Sequence, residues 1–399
     1  MLDDLVPSGS PCVPSGAEAL LLVSRAGGTP LYAYSRAAMD EAVRRVRATS
    51  PPGTGVYYSL KANPHPGVVN ALSALVDGFD VCSMAEMETA LNAGTPPERV
   101  LFTGPAKTRE EAASALAAGV PVTVESLGQA DLLAGTARGL GVTGRAVVRL
   151  NTPYPGRVDG APASLNHFGV GTDDVAEVVR LLRGSPLALS GLHLFWGSQY
   201  TDAAVVHAAR KHAMERAGAL AAEFGLALDF VSIGGGIAMP WCSEDPAVDW
   251  AGLQDPGLVP ALPDELGSAA VVCEYGRSLI GPAGSLLTTV LDTKTIDGRR
   301  YVLVDAGMNH VMLASRLIAG GGRGEPSVRV VAPPRRQRDV GPATVTGPLC
   351  SQLDVLAENV LLPEVEVGDL LVLDGVGAYG PSFSPAGFLS RDKAREVVF

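Results

Sequence analysis

The stretch Tyr57-Tyr58-Ser59-Leu60-Lys61-Ala62-Asn63 carries a short apolar run onto one lysine and is broken at once by Pro64 and Pro66. That pattern predicts a β-strand whose far end presents Lys61 at a turn. A lysine so placed forms a Schiff base with a carbonyl once burial or a neighbouring cation lowers its pKa; the plainer alternative is a solvated strand end. Positive charge elsewhere is carried mostly by arginine, the only lysines being Lys61, Lys107, Lys211, Lys294 and Lys393, so Lys61 stands out.

Outward from this strand, β-rich runs alternate with Ala- and Leu-rich stretches at helical spacing. The runs are 56–61, 79–83, 100–104, 122–126, 146–151, 189–195, 229–234 and 271–274. Eight strands alternating with helices predict an α/β protein built on a (β/α)8 TIM barrel, in which chemistry gathers where the strands end. Lys61, Asp80, Ser83, Gly234-Gly235-Gly236, Glu274 and Arg277 all fall at such ends. Beyond Gly284 strands follow one another without helices, at 286–291, 300–304, 328–331, 343–346 and 370–373, which predicts a separate C-terminal antiparallel β domain. A short helix over 17–25 and a strand over 29–34 precede the barrel. The expected organisation is an N-terminal segment 1–30, a barrel 31–280 and a β domain 281–399.

With 399 residues, 47% of them hydrophobic, the chain can bury a large core. Its net charge of −11 argues against nucleic acid as a main partner and offers no basic face to an anionic membrane. The acidic start Met1-Leu2-Asp3-Asp4 and the lack of a long apolar run predict a cytoplasmic protein. Cys12, Cys82, Cys242, Cys273 and Cys350 are scattered without metal-ligand spacing, so neither disulfides nor a metal site is expected.

A triple glycine lets backbone N–H groups approach a phosphate because no Cβ intervenes, although a tight turn uses glycines as well. Arg277 can add a charge-assisted contact. A lysine, a phosphate cradle and a carboxylate for a ring nitrogen are what pyridoxal 5'-phosphate requires of a protein, while flavin and nicotinamide fit less well because no G-x-G-x-x-G follows a strand.

Seven stretches together resemble the fold type III pyridoxal-phosphate decarboxylases, which include the diaminopimelate and ornithine decarboxylases. They are Tyr58-Ser59-Leu60-Lys61-Ala62-Asn63, residues 79–86, Gly197-Ser198-Gln199, Gly234-Gly235-Gly236, Glu274-Tyr275-Gly276-Arg277, Gly347-Pro348-Leu349-Cys350 and Gly377-Ala378-Tyr379-Gly380. The resemblance implies an alanine-racemase-like barrel whose β domain takes in the N-terminal strand. It also implies a homodimer in which the partner lends the Cys350 loop to each site. By the same resemblance Lys61 anchors the cofactor, Gly235, Gly236 and Arg277 hold its phosphate, Glu274 meets its ring nitrogen, and Asp80, Ser198 and Tyr379 line its site. Cys350 would return the proton after carbon dioxide leaves.

The departures bear on the substrate. Ser351 follows Cys350 where the diaminopimelate and ornithine enzymes carry an acid for a distal ammonium, and Phe195 stands where the family places a ring-stacking histidine. Tyr275 replaces the usual proline, and Asn309 and His310 occupy the region of a missing Arg-Pro-x-x-Tyr, which makes them candidate substrate contacts with Ser351. These features resemble a subgroup acting on aminoacyl groups tethered to an acyl carrier protein in antibiotic biosynthesis. Arg323, Arg329, Arg335, Arg336 and Arg338 are the densest positive run and a candidate landing patch for an acidic carrier. The alternatives are a decarboxylase of a free amino acid lacking a distal ammonium, a racemase, and an inactive regulator on the same fold. Among the histidines, His193 reads as structural, His207 and His212 as surface residues on a helix, and His65 and His167 as lying near the site.

Overall fold

The computed structural model describes residues 14–151, 157–158, 161–162, 166–240, 245–314, 327–331 and 339–399. These form two compact units. One draws its described residues from Met1–Ala42, Met239–Ala247 and Gly276–Phe399, the other from Val43–Ala238 and Val248–Tyr275.

Strands in chain order are β1 Leu31–Tyr34, β2 Gly55–Ser59, β3 Gly78–Val81, β4 Val100–Phe102, β5 Val122–Val124 and β6 Gly144–Leu150. A small antiparallel hairpin follows, β7 Arg157–Val158 with β8 Ala161–Pro162, and then β9 Leu187–Leu194, β10 Phe230–Gly235 and β11 Ala270–Tyr275. The remainder are β12 Gly284–Ile296, β13 Arg299–Val304, β14 Val328–Val330, β15 Val340–Thr346, β16 Val355–Pro363, β17 Leu370–Leu373 and β18 Arg395–Val398.

In the second unit the eight strands expected from the alternation close into a parallel barrel in the order β10-β11-β2-β3-β4-β5-β6-β9. Their residues are apolar on successive positions and largely buried, as strands covered by helices on one face and filling a barrel on the other must be. The helices between them start at side-chain caps. Thr108 opens Arg109–Ala117 with a full capping box to Glu111, and Ser83 and Ser126 cap Met84–Asn92 and Leu127–Leu140. The helix Ala203–Phe224 corrects one expectation: His207 is buried and its Nε2 lies 3.2 Å from the Gly252 carbonyl oxygen, while His212 meets the Trp196 ring edge-on. Burial pushes the His207 imidazole pKa down.

In the first unit the sheet runs β14-β17-β12-β13-β15-β16, with β1 joined to β12 and to β18. Most ladders are antiparallel, as expected, but β1 with β18 and β13 with β15 are parallel. β16 and β18 have no counterpart among the strands expected from sequence. The helix Gly16–Ala26 carries Ala19 and Leu22 into a core of Leu31, Ala33, Leu287 and Val372, so the N-terminal strand belongs to this sheet.

Candidate active site

Register brings the barrel's candidates together. Ser59 pairs with Asp80, Tyr57 with Glu274, and Glu274 with Gly235, so residues far apart in sequence share one end of the barrel. Lys61 lies just past β2, in the 3-10 turn Leu60–Ala62, and its Nζ is 3.3 Å from Oδ2 of the buried Asp80. The other Asp80 oxygen accepts from Thr103 Oγ1 at 2.6 Å, which fixes the carboxylate plane that faces the lysine.

Glu274 lies one residue before the end of β11 in a buried position. Its Oε1 accepts from Ser232 Oγ at 2.6 Å, and His193 Nε2 lies 3.1 Å and 3.2 Å from its two oxygens. Burial by itself would raise the carboxyl pKa; the His193 imidazole, the Ser232 hydroxyl and the Lys61 charge outweigh it and hold the group down at about 2. His193 is therefore a ligand of the acid rather than mere filling. Its Nδ1 is buried without a hydrogen-bond partner among the described residues.

Beside Glu274 the glycine turn leaves no room for side chains. A Cβ on Gly235 would stand 2.9 Å from the Glu274 carbonyl carbon and closer still to its oxygen, and one on Gly236 would meet the Tyr200 ring at 2.8 Å and the Gly197 carbonyl at 2.9 Å. Gly234 and Gly236 also hold φ of +67° and +87°, in the region that favours glycine. Tyr200 ties the two glycine loops together, its N–H donating to Gly236 O and its carbonyl accepting from Ala238 N–H. Ser198 is exposed in the loop so fixed, and Phe195 is exposed at the end of β9, with the Arg149 guanidinium 6.0 Å from its ring and 4.6 Å from that of Phe168. Buried Glu125 holds Arg149 at 3.4 Å and accepts from Gly104 and Gly169 N–H. That acid–arginine pair escaped sequence reading; its signal was the placement of both residues at barrel strand ends.

The first unit has its own candidates. The Arg277 guanidinium lies 4.6 Å over the Tyr379 ring. Cys350 is exposed on a loop gathered around Asp354, whose Oδ2 accepts from Leu349 N–H at 2.7 Å and whose Oδ1 accepts from Met308 N–H at 2.7 Å. Burial pushes the Asp354 carboxyl pKa up, against these two amides. Ser351 is used within the loop, its N–H donating to Leu349 O and its Oγ accepting from Leu353 N–H. Asn309 and His310 are buried and face each other; His310 Nδ1 accepts from Gly307 N–H, which leaves Nε2 to donate to Asp392 O at 2.9 Å. Burial lowers the His310 pKa. Of the positive run, Arg329 is held by Asp374 at 2.6 Å, and Arg323, Arg335, Arg336 and Arg338 lie outside the described residues.

Residues 36–281 match the family model described as "Pyridoxal-dependent decarboxylase, pyridoxal binding domain". The chain belongs to the pyridoxal-dependent decarboxylases. Such an enzyme uses pyridoxal phosphate to remove the carboxylate of an amino acid, and the chain is a decarboxylase of this kind. A diaminopimelate decarboxylase of Helicobacter pylori is 31% identical over 376 residues, 93% of this chain and 90% of its own length. The L-glutamyl-[BtrI acyl-carrier protein] decarboxylase of Niallia circulans is 27% identical over 382 residues, 93% of this chain and 88% of that protein. The crystal structure of the Helicobacter pylori diaminopimelate decarboxylase complexed with L-lysine superposes with a TM-score of 0.80 at 28% identity, covering 95% of this chain and 94% of that one.

The barrel residues of this decarboxylase suit its cofactor. A turn with no space for Cβ atoms presents bare backbone to a phosphate, and a carboxylate held ionised in a buried site suits a protonated pyridine nitrogen. Among the described residues no group of three or more His, Cys, Asp or Glu could hold a metal ion, and no helix is long and apolar enough to cross a membrane.

Proposed function

We propose that this decarboxylase acts on an amino acid that presents no free distal ammonium, and that the amino acid is the acyl group of an acyl carrier protein. The observation that carries the reading is Ser351. It places a neutral hydroxyl, already engaged by Leu353 N–H, directly after Cys350, where an acid would be needed to hold a second ammonium. The L-glutamyl-carrier decarboxylase among the relatives supports the tethered form.

Bound pyridoxal phosphate supplies the electron sink for the charge left when carbon dioxide departs. Lys61 anchors it covalently, with Asp80 setting the direction of the Nζ. Gly235 and Gly236 offer N–H groups to its phosphate, as does Arg277 its guanidinium, stacked on Tyr379. Glu274 keeps the ring nitrogen protonated, and His193 and Ser232 keep Glu274 charged. Phe195 and Ser198 line the cofactor, Cys350 delivers the proton to the α-carbon, and Asp354 holds the Cys350 loop in shape. The working unit is a homodimer that shares its Cys350 loops.

A free amino acid is the second reading, favoured by relatives at 30–31% identity that are diaminopimelate decarboxylases. Mass spectrometry separates the two. Loss of one carbon dioxide from a glutamyl-carrier thioester, with none from free glutamate or diaminopimelate, supports the first; turnover of the free amino acids alone overturns it. Reversing the charge of Arg335 and Arg336 is expected to raise KM for the carrier substrate and leave kcat unaltered. Unchanged turnover removes that docking patch.

A further inference from the structure

Tyr275 occupies the position between Glu274 and Gly276 that holds proline in the decarboxylases this chain resembles, and its side chain is fully buried. One edge of its ring lies under the glycine turn: a Cβ on Gly235 would be 3.1 Å from Tyr275 Cδ1. Its hydroxyl ends in a relay that runs away from the site. Arg210 Nη2 donates to Tyr275 Oη at 2.6 Å, and Tyr275 Oη lies 3.2 Å from Ser50 Oγ, which donates to Val46 O at 2.9 Å.

Arg210 is the largest fully buried side chain of the described residues. Its other hydrogen bonds go to the Thr49 carbonyl oxygen and, from Nη2 at 3.5 Å, to Thr49 Oγ1. A buried guanidinium is costly, the more so because Arg210 Nε is buried without a hydrogen-bond partner among the described residues, so an arginine held here by its two Nη groups argues that its geometry matters. Burial pushes the Tyr275 phenol up to about 12, which keeps it neutral, accepting from Arg210 and donating to Ser50.

The glycine turn needs such support. The ladder between β10 and β11 slips register between Ser232 and Gly235, and Gly234 and Gly236 are conformationally free residues on either side of Gly235. Past that slip a single rung, Gly235 with Glu274, joins the turn to β11. The Tyr275 ring packs beneath it as a second support, and the Arg210 fork fixes the ring.

We propose that Arg210 and Tyr275 are positioning residues that lock the Gly235 turn at the height where its backbone meets the cofactor phosphate. The inference rests on the proposal that Gly235 and Gly236 hold that phosphate.

The test compares binding of pyridoxal 5'-phosphate with binding of pyridoxal, which lacks the phosphate, to cofactor-free protein by tryptophan fluorescence. Tyr275→Phe keeps the ring and removes one hydroxyl. It is expected to weaken pyridoxal 5'-phosphate about tenfold, the scale of one hydrogen bond to a charged group, and pyridoxal by less than about twofold. Arg210→Lys keeps the charge and loses the fork; it is expected to show the same selective loss, and it stands in if Tyr275→Phe does not fold. Equal weakening of both ligands, or of neither, overturns the lock, since a merely structural role does not distinguish them. Gly236→Ala separates the two layers of the argument. If it too spares the preference for the phosphorylated ligand, the glycine turn is not the cradle and both readings fail; if it alone destroys that preference, only the lock fails.

Discussion

Replacing Gly235 with alanine adds one carbon in the tightest place of the barrel. That carbon would stand 2.9 Å from the Glu274 carbonyl carbon, whereas ordinary contact begins at 3.4 Å, so backbone must retreat by half an ångström or more, and further at the oxygen. The obstructing atoms belong to the paired strand β11 and cannot rotate away as a side-chain tip would. Overpacking of this kind costs about 3 kcal/mol, the upper end of the usual range. For a unit of this size that lowers Tm by about 6–12 °C. Because the displaced carbonyl belongs to Glu274, cofactor affinity should fall as well. Gly171→Ala is the control: its φ is −64° and a Cβ would meet nothing within 4 Å, so it should be neutral or gain about 0.5 kcal/mol. Calorimetry of the cofactor-free protein and a pyridoxal-phosphate titration read both effects. A Gly235→Ala protein that melts within about 2 °C of the parent and binds the cofactor equally well would refute the packing argument.

Lys61→Ala should abolish the visible absorption of the lysine-linked cofactor and all decarboxylation while leaving Tm nearly unchanged, because the side chain is half-exposed; a retained band would place the linkage elsewhere. The Glu274 carboxyl lies below its unfolded value, so its contribution to stability is complete above about pH 4.5 and is lost as pH falls toward about 2. The stability gap between the parent and Glu274→Gln should therefore close over that window in acid denaturation, and a gap independent of pH would contradict the lowered Glu274 carboxyl. Asp354→Ala strips an acceptor from the Leu349 and Met308 amides at about 1–3 kcal/mol each, so their hydrogen exchange should accelerate by at least tenfold; unaltered protection would show that the Cys350 loop is held otherwise.

The barrel was readable in the sequence because parallel strands and their covering helices alternate in a pattern that composition alone displays. Lys61, Asp80 and Glu274 were readable for the same reason, each lying where such a strand stops. The partners that set their chemistry were not. His193 looked structural because the acid it binds is 81 residues further along, and no local pattern records such a pairing. His207 and Arg210 sit on a long alanine-rich helix whose small residues give no stripe to mark the buried face. β16 was missed because its leucines, alanine and glutamate favour a helix as much as a strand, and Asn359, at φ +55°, interrupts the alternation. β18 is four residues long and finds its place only beside β1.

The joining of β1 to β12 sets a schedule for synthesis. Tyr34 pairs with Gly284 and Leu31 with Leu287, so about 250 residues, the entire barrel among them, must leave the ribosome before β1 meets that partner. At about 5–20 residues per second the wait is roughly 12–50 s. Throughout it the nascent chain carries Leu-Tyr-Ala-Tyr, an apolar strand with both edges bare, which is the form in which chains pair with the wrong neighbour. The last barrel strand, β11, ends at Tyr275, nine residues before β12 begins at Gly284, so barrel and sheet are completed almost together, and residues 31–34 must be kept from wrong partners until then.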